Sequence, residues 1–386
     1  MNPRERFETA LKLKEPDRVP IDLGIIVTGV TTAANKALKD YLGIQSEDPL
    51  VDRIQQLALP SEPLLERLHV DTRYIYLSAS RDWHDIELPD NVYQDEFGVK
   101  RKAAFDPETG HLLYYDFVVG TAPLAHIETA QEMVRIDWPD PHDPARYQGL
   151  EEKARDLHEN TEYAVIVNAI GSIFEFSWYL RGFEQFYSDL LLQPYIVEAL
   201  LDGMLAYQSA MFGEILDRAG RYVSVVMVGE DLGTQRGPTI SVDVYKRIVW
   251  PRQKKFYDSI RSKTDVPIFY HSCGSIVPLI PHLIDAGINA LHPVQPAAAG
   301  MGGGPGEREW LKKEYGNQIT FWGGLDQQGV LPFGTPQQVR EETRKLLDAF
   351  MPGGGYVFCT GHNIQMGVSP ENVLAAYDTA YEYGRY

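Results

Sequence analysis

Cysteine is scarce in this chain of 386 residues, which contains only Cys273 and Cys359. Two thiols are too few for a disulfide framework, and reducing conditions in the cytoplasm would keep them as thiols or metal ligands. The sequence has no run of eighteen apolar residues, and its charged opening, residues 1–6, lacks the order of a signal peptide. We therefore expect a cytoplasmic protein without a membrane partner.

Basic residues are also few relative to acidic ones. The chain has 36 Lys and Arg against 54 Asp and Glu, which gives a formal net charge of −18. Nucleic-acid binding depends on basic patches that displace counterions, and no such patch occurs, so we expect no nucleic-acid partner. The hydrophobic content of 44% is sufficient for a large core, and we predict one domain over residues 1–386.

Short apolar runs alternate with helical segments along most of the chain, which is typical of parallel strands joined by helices. Eight such runs predict an α/β fold, a (β/α)₈ TIM barrel with N-terminal helical additions; an open doubly wound sheet is the alternative. The runs are residues 19–23, 74–77, 164–167, 222–228, 266–270, 288–291, 319–322 and 355–358.

Two regions do not follow this alternation. Residues 31–42, 48–59 and 61–68 have helical character and form the N-terminal additions. From about residue 90 to 120, apolar and polar residues alternate and turn sequences occur, which predicts a β-hairpin insertion. We expect this insertion to form a rim of the active face.

The chemistry of the site starts from His271, Cys273 and Cys359. A catalytic zinc ion typically has three protein ligands from imidazole and thiolate groups and keeps a fourth position open. Because side chains alternate along an extended segment, His271 and Cys273 can face one ion. Buried small hydrophobes and a core histidine are the alternative interpretation. The position of all three after predicted strands, at the active face of a barrel, favours zinc.

Several motifs then resemble the uroporphyrinogen decarboxylase superfamily, and specifically its corrinoid-dependent methyltransferase branch. The resemblance covers nearly the whole chain and lies in the order and spacing of the motifs. They are residues 3–6, 15–20, 171–175, 181–184, 230–235, 270–274, 287–296, 322–326, 361–364 and 370–373.

This resemblance implies a function. The zinc methyltransferases have a His-x-Cys pair and a distant Cys, which His271, Cys273 and Cys359 match. It implies Zn²⁺ as a cofactor, a corrinoid carried on a separate partner protein, and a small-molecule methyl donor or acceptor. The direction of transfer stays open, and so does the possibility of a homodimer.

Two alternatives remain. The first is a metal-free tetrapyrrole decarboxylase, for which Asp71 lies in the region of the catalytic Asp; residues 17–24, however, lack the Arg-rich loop of those enzymes. The second is a non-catalytic binding protein in which the zinc is structural and has four protein ligands.

Other polar residues that follow predicted strands complete the candidate site. Glu230, Asp231 and His362 are predicted to be catalytic, with His362 as a hydrogen-bonding group rather than a metal ligand. Four residues are predicted to contact the cofactor or substrate, and the first of these is also a candidate fourth zinc ligand. They are Glu175, Asn168, His292 and Gln295.

Overall fold

The computed structural model describes residues 1–24, 26–81 and 83–386 and has an α/β fold. The helices are α1 (Pro3–Leu11), α2 (Thr32–Leu42), α3 (Glu62–Arg67), α4 (Ala130–Met133), α5 (Leu150–Asn160), α6 (Phe174–Arg181), α7 (Phe183–Leu192), α8 (Pro194–Ala219), α9 (Val242–Val244), α10 (Trp250–Arg261), α11 (Ile280–Ala286), α12 (Glu307–Tyr315), α13 (Val330–Phe333), α14 (Pro336–Phe350) and α15 (Pro370–Tyr383). Short 3₁₀ helices cover Pro144–Tyr147 and Val277–Leu279, and a π-helix covers Tyr245–Val249.

The strands are short. They are β1 (Val30–Thr31), β2 (Leu50–Asp52), β3 (Leu57–Ala58), β4 (Thr72–Tyr76), β5 (Ile86–Leu88), β6 (Val92–Gln94), β7 (Lys100–Phe105), β8 (Leu112–Phe117), β9 (Ala164–Asn168), β10 (Val226–Gly229), β11 (Ile268–His271), β12 (Ala290–His292), β13 (Thr320–Trp322) and β14 (Tyr356–Val357).

The parallel strands lie in chain order. Strands β10 to β14 form one sheet in which each strand pairs with the next, and β4 pairs with β9. Single bridges from Ile166 to Val225 and from Ile21 to Phe358 extend this order in both directions. The α/β class is therefore confirmed, and the carboxyl ends of neighbouring strands meet at one edge, where sites form in such folds.

The strands are buried on both faces. In the sequence 225–228, Val225 and Met227 pack in one apolar cluster, and Val226 and Val228 pack in a second one. This alternation follows the period of two of a strand and explains why the strands read as continuous apolar runs.

The predicted hairpin insertion is a larger element. Strands β5 to β8 form a four-stranded antiparallel sheet in simple up-and-down order, which begins at Ile86. The prediction underestimated it because the strand Ile86–Leu88 is only three residues long.

The N-terminal region confirms two predictions and corrects two. Helices α2 and α3 confirm the helical character predicted for residues 31–42 and 61–68, and α1 begins with a capping box between Asn2 and Glu5. The helix predicted over 48–59 is wrong: β2 and β3 pair with each other, and β3 also pairs with β1. Residues 19–23 form only an isolated bridge at Ile21 in place of a full strand. Long-range pairing decided both segments, and local propensity does not report it.

None of the helices in the described ranges is alone long and apolar enough to cross a membrane. Only α7 and α8, which are bent by 119° relative to each other, reach that length and apolar character as a pair.

A buried ion network lies at the amino end of β4. The carboxylate of Asp71 accepts hydrogen bonds from Arg6 at 2.7 Å, from Arg18 at 2.8 and 2.9 Å, and from the N–H of Ile21 at 2.8 Å. Its side chain is 1% exposed. The network joins α1, the segment 18–21 and β4, so it holds the N-terminal region on the strands.

Removing Asp71 tests this role. Asp71→Ala leaves two buried guanidinium groups without their shared carboxylate, and we expect a loss of about 3–5 kcal/mol in the free energy of unfolding, measured by urea titration. Asp40→Ala, which breaks the exposed pair with Lys36, is the matched control and should cost less than about 1 kcal/mol. Equal unfolding midpoints for the two variants would contradict the assignment.

Candidate metal centre

Three potential metal ligands meet where β11 and β14 end. A ring nitrogen of His271, the Sγ of Cys273 and a ring nitrogen of His362 all lie within 4.8 Å of one another. His271 is the last residue of β11, and Cys273 is two positions further in an extended segment. His271 and Cys273 thus face one point, as their spacing predicted.

The geometry of this pair fits zinc. The Sγ of Cys273 lies 3.5 Å from the Nε2 of His271. A tetrahedral zinc ion with a Zn–S bond of ~2.3 Å and a Zn–N bond of ~2.0 Å separates two such ligands by roughly 3.5 Å. The two atoms therefore have the separation that a shared zinc ion requires.

The third group differs from the prediction. Cys359 does not belong to the group of ligand atoms; its side chain is fully buried, in the same apolar cluster as Trp322 and Val357, and its thiol donates to the carbonyl of Thr360 at 3.2 Å. The chain then turns, and His362 reaches the other two ligands. The prediction had assigned a hydrogen-bonding role to His362, whereas the structure brings its ring within reach of the other two potential ligands.

Burial keeps these ligands neutral. It lowers the pKa of His271 to about 3 and, with the nearby His271, the pKa of His362 to about 4. Burial, together with Asp231 and Glu175, raises the pKa of the Cys273 thiol well above its usual value. At neutral pH both imidazoles have free lone pairs, whereas the thiol must lose a proton before it binds a cation.

His292 lies behind His271 and not in the pocket. The Nδ1 atoms of the two rings are 2.8 Å apart, and both rings are buried. One ring must donate and the other accept in this bond. When His271 presents the lone pair of Nε2 to a cation, its proton is on Nδ1. This N–H then donates a hydrogen bond to the Nδ1 of His292. His292 then has its own proton on Nε2, a buried atom that makes no hydrogen bond to the described residues.

Glu230 has a role different from the catalytic one predicted. Its buried carboxylate accepts hydrogen bonds at the beginning of α6, at 2.6 to 2.9 Å. The four donors are the hydroxyl of Ser172 and the N–H groups of Ile173, Phe174 and Glu175. A carboxylate at a helix N-terminus satisfies N–H groups that otherwise have no partner.

Asp231 and Glu175 lie beside the ligands. The Oδ1 of Asp231 accepts from the N–H of Cys273 at 2.9 Å and is 3.6 Å from the Nε2 of His271. The N–H of Asp231 donates to Glu175 at 3.1 Å. Burial, then Asp231 and Glu230, raise the pKa of Glu175 well above its usual value, which favours its protonated form.

Gln295 and Asn168, which were predicted to contact the cofactor or substrate, accept hydrogen bonds from backbone N–H groups. Gln295 accepts from the N–H of Gly274 at 2.7 Å, next to Cys273. Gly274 has a φ of +80°, and a Cβ there would lie 2.5 Å from the carbonyl carbon of Gly233, so only glycine fits this turn. Asn168 accepts from the N–H of Ile26 at 3.3 Å, a weaker contact with a loop at the pocket.

A cavity of about 420 Å³ opens onto the ligands. His271, His362, Asp231 and Glu175 form one part of its wall. The antiparallel insertion forms another part through Arg101, Tyr114 and Tyr115, and α6 adds Phe176 and Tyr179. The insertion was predicted to be a rim, but these particular residues were not, because no local pattern shows which face of an inserted sheet covers the site.

Comparisons with known proteins agree with the fold. The family model described as Uroporphyrinogen decarboxylase (URO-D) matches residues 115–383. The uroporphyrinogen decarboxylase of Neisseria gonorrhoeae (strain NCCP11945) is 34% identical over 74 residues, which are 19% of this chain and 20% of the relative. That of Azoarcus sp. (strain BH72) is 37% identical over 70 residues, 18% of this chain and 19% of the relative. The chain spans about a fifth of the length of these relatives.

A solved structure is similar over the whole length. The structure described as a methyltransferase from Methanosarcina mazei covers 99% of both chains with a TM-score of 0.63 at 16% sequence identity. At this identity the similarity shows a common fold.

The pH dependence of zinc binding distinguishes the two ligand sets. With His271, Cys273 and His362 as ligands, only one thiol must ionise, so we expect zinc affinity to increase about tenfold per pH unit between about pH 6 and 8. The affinity can be measured by competition with a chelator of known pH dependence. An increase of about a hundredfold per pH unit would indicate two thiolate ligands and would therefore identify Cys359 as a zinc ligand.

The pair of imidazoles gives a second test. His292→Phe removes the acceptor for the Nδ1 proton of His271, and we expect zinc affinity to fall about 10- to 100-fold in chelator competition. His292→Asn, which keeps an acceptor oxygen near the position of Nδ1, should lose less. Equal affinities in the wild type and both variants would show that His292 does not orient His271.

Proposed function

The chain belongs to the uroporphyrinogen decarboxylase family, and we propose that it is a zinc-dependent methyltransferase. It moves a methyl group between a small molecule and the cobalt of a corrinoid on a separate protein. The observation that carries the proposal is the group of His271, Cys273 and His362, of which His271 and His362 line a cavity. Similarity in fold to the methyltransferase from Methanosarcina mazei supports it.

The proposed architecture is a closed (β/α)₈ barrel with the site at its mouth. The bridges at Ile166 and Ile21 support closure because they link neighbouring parallel segments in chain order, and the N–H of Asp71, next to β4, donates to the carbonyl of Ile21 at 2.8 Å. In such a barrel the catalytic residues follow the strands, as His271, Cys273 and His362 do.

The ligand set favours removal of a methyl group from the small molecule. One thiolate and two neutral imidazoles leave zinc with a formal charge of +1 (+2 − 1), whereas two thiolates would leave it neutral. Zinc held by this set would supply a Lewis acid that draws electron density from the heteroatom bearing the methyl group. Cys273 and the two histidines hold the ion, and the cavity gives the substrate access to it.

Glu175 supplies the proton in this direction. When a methyl group leaves an oxygen or nitrogen, the heteroatom gains a proton. The Oε2 of Glu175 accepts the N–H of Asp231 at 3.1 Å, and Oε1 accepts only a long hydrogen bond of 3.4 Å from the hydroxyl of Tyr179, so Oε1 is the oxygen better placed to carry a proton. A protonated carboxyl group in the wall of the cavity is suited to donate, and not to accept, a proton.

Neither alternative function has comparable support. A decarboxylase would use Asp71, but this carboxylate is bound by Arg6 and Arg18 at the amino end of β4, the end away from the ligand group. A structural zinc site would be closed by four protein ligands, but these three ligands lie at a cavity.

A methyl-transfer assay tests the proposal. Zinc-loaded protein is incubated with cob(I)alamin and a panel of methyl ethers, methylamines and methyl thiols, and the absorption of methylcobalamin is followed. Cys273→Ser should lose bound zinc and at least about 100-fold in rate. Cys359→Ser is the matched control and should keep both. A wild type that binds no zinc, or moves no methyl group from any compound, would refute the proposal.

A further inference from the structure

Arg101 is a buried cation whose side chain makes no hydrogen bond to the described residues, although it has an ion-pair contact with Asp95. It lies in β7 of the insertion, and the residue is 5% exposed. Its Nε has no hydrogen-bond partner, and the closest carboxylate oxygen, of Asp95, is 3.6 Å away. The guanidinium carbon lies 4.6 Å from the centre of the Tyr179 ring, which stacks against the group and accepts no N–H bond from it.

The other buried arginines show that this is an exception. Of the seven arginines that are buried in the described ranges, six donate a hydrogen bond to a carboxylate, and Arg101 does not. The six pairs are Arg6 with Asp17, Arg18 with Asp71, Arg73 with Glu62, Arg146 with Glu96, Arg181 with Asp189 and Arg252 with Asp202. A buried guanidinium cannot become neutral by losing its proton, so the missing acceptor has a cost in free energy.

The cavity is where the missing acceptor can bind. Arg101 lines the same cavity as His271 and His362, and the aromatic rings of Tyr115, Phe176 and Tyr179 line it as well. The planar fork of N–H groups in arginine matches the two oxygens of a carboxylate, and sulfonate oxygens offer the same chemistry.

We propose that the methylated substrate carries a carboxylate or sulfonate group that Arg101 binds, with the methyl-bearing heteroatom directed to His271, Cys273 and His362. This inference rests on the proposed methyl transfer and adds the substrate class and the residue that selects it.

Acidic side chains in the wall do not reverse this inference. Asp52 and Glu175 line the cavity, but burial raises the pKa of both carboxyl groups, which favours their neutral forms. Asp52 also accepts the N–H of Gln55 at 2.6 Å, and Asp231 that of Cys273. Each of these acids has a hydrogen-bond donor, whereas Arg101 has no acceptor.

Matched methyl ethers test the proposal. The probes are 3-methoxybenzoate, 3-methoxybenzenesulfonate, methoxybenzene and 3-methoxybenzylamine, which differ mainly in charge. Binding to the zinc-loaded protein is measured by calorimetry, and methyl transfer to cob(I)alamin by absorption. We expect at least one of the two anions to bind about 10- to 100-fold more tightly than methoxybenzene. The relative affinities of benzoate and sulfonate identify the oxyanion.

Variants assign the preference to Arg101. Arg101→Met should raise KM for the preferred anion about 10- to 100-fold, leave kcat nearly unchanged and abolish the preference over methoxybenzene. Arg101→Lys keeps the positive charge but loses the planar fork of N–H groups. This variant should fold and should lose part of the preference for the anion, so it provides the test if Arg101→Met does not fold. Lys100→Met is the matched control, because neighbouring residues of a strand face opposite sides, and it should behave as wild type.

The outcomes separate this proposal from the methyl transfer itself. Binding of 3-methoxybenzoate that depends on Arg101, without transfer of its methyl group, would support the oxyanion site and refute the proposed function. Equal binding and turnover of methoxybenzene and both anions would support methyl transfer and overturn the role of Arg101. Preference for 3-methoxybenzylamine would also overturn it and indicate a cationic substrate.

Discussion

The carboxylate of Glu230 is the contact on which the arrangement of the site depends. It follows β10 and is bound by the first turn of α6, where free N–H groups and the positive end of the helix dipole favour its charged form, while burial raises its pKa to about 7. This contact fixes Glu175 in the helix and Asp231 next to it in the chain. Because Asp231 accepts the N–H of Cys273, the end of β11 is held by the same network.

Exclusion of water shifts the pKa values of the acids and of the bases at the site in opposite directions. Both shifts favour the neutral form of the group. Burial lowers the pKa values of His271 and His362 and raises those of Glu175 and Cys273. The neutral nitrogen and sulfur ligands are suited to bind a cation. The neutral acid next to them is suited to donate a proton. Arg101 cannot respond in the same way, since guanidinium keeps its proton. The nearby carboxylate of Asp95, at 3.6 Å, lies beyond hydrogen-bond distance, so the N–H groups of Arg101 favour a further anionic acceptor.

Local signals in the sequence predicted the helices well. Helices α2 and α3 lie within the helical segments predicted at residues 31–42 and 61–68, and the side chains of Asn2 and Ser241 cap α1 and α9. The failure at residues 48–59 has a clear cause. Leu57 and Ala58 form a strand because they pair with Val30 and Thr31, and pairing partners this far apart in sequence leave no local periodicity.

The sequence by itself determined the family, the α/β class, and the pair of His271 and Cys273, because two residues at the end of one strand are placed by the strand's own period of two. Only the tertiary structure brought a third potential ligand, His362, to this pair. Cys359 and His362 both follow β14 and offer suitable atoms, so composition cannot choose between them. Packing of Cys359 with Trp322 and Val357 turns its thiol into the apolar interior, and the turn that follows carries His362 to the other ligands. The direction of a side chain beyond the end of a strand is set by neighbours that are distant in sequence. The same is true of Arg101, whose place in the cavity depends on how the inserted sheet packs over the strand ends.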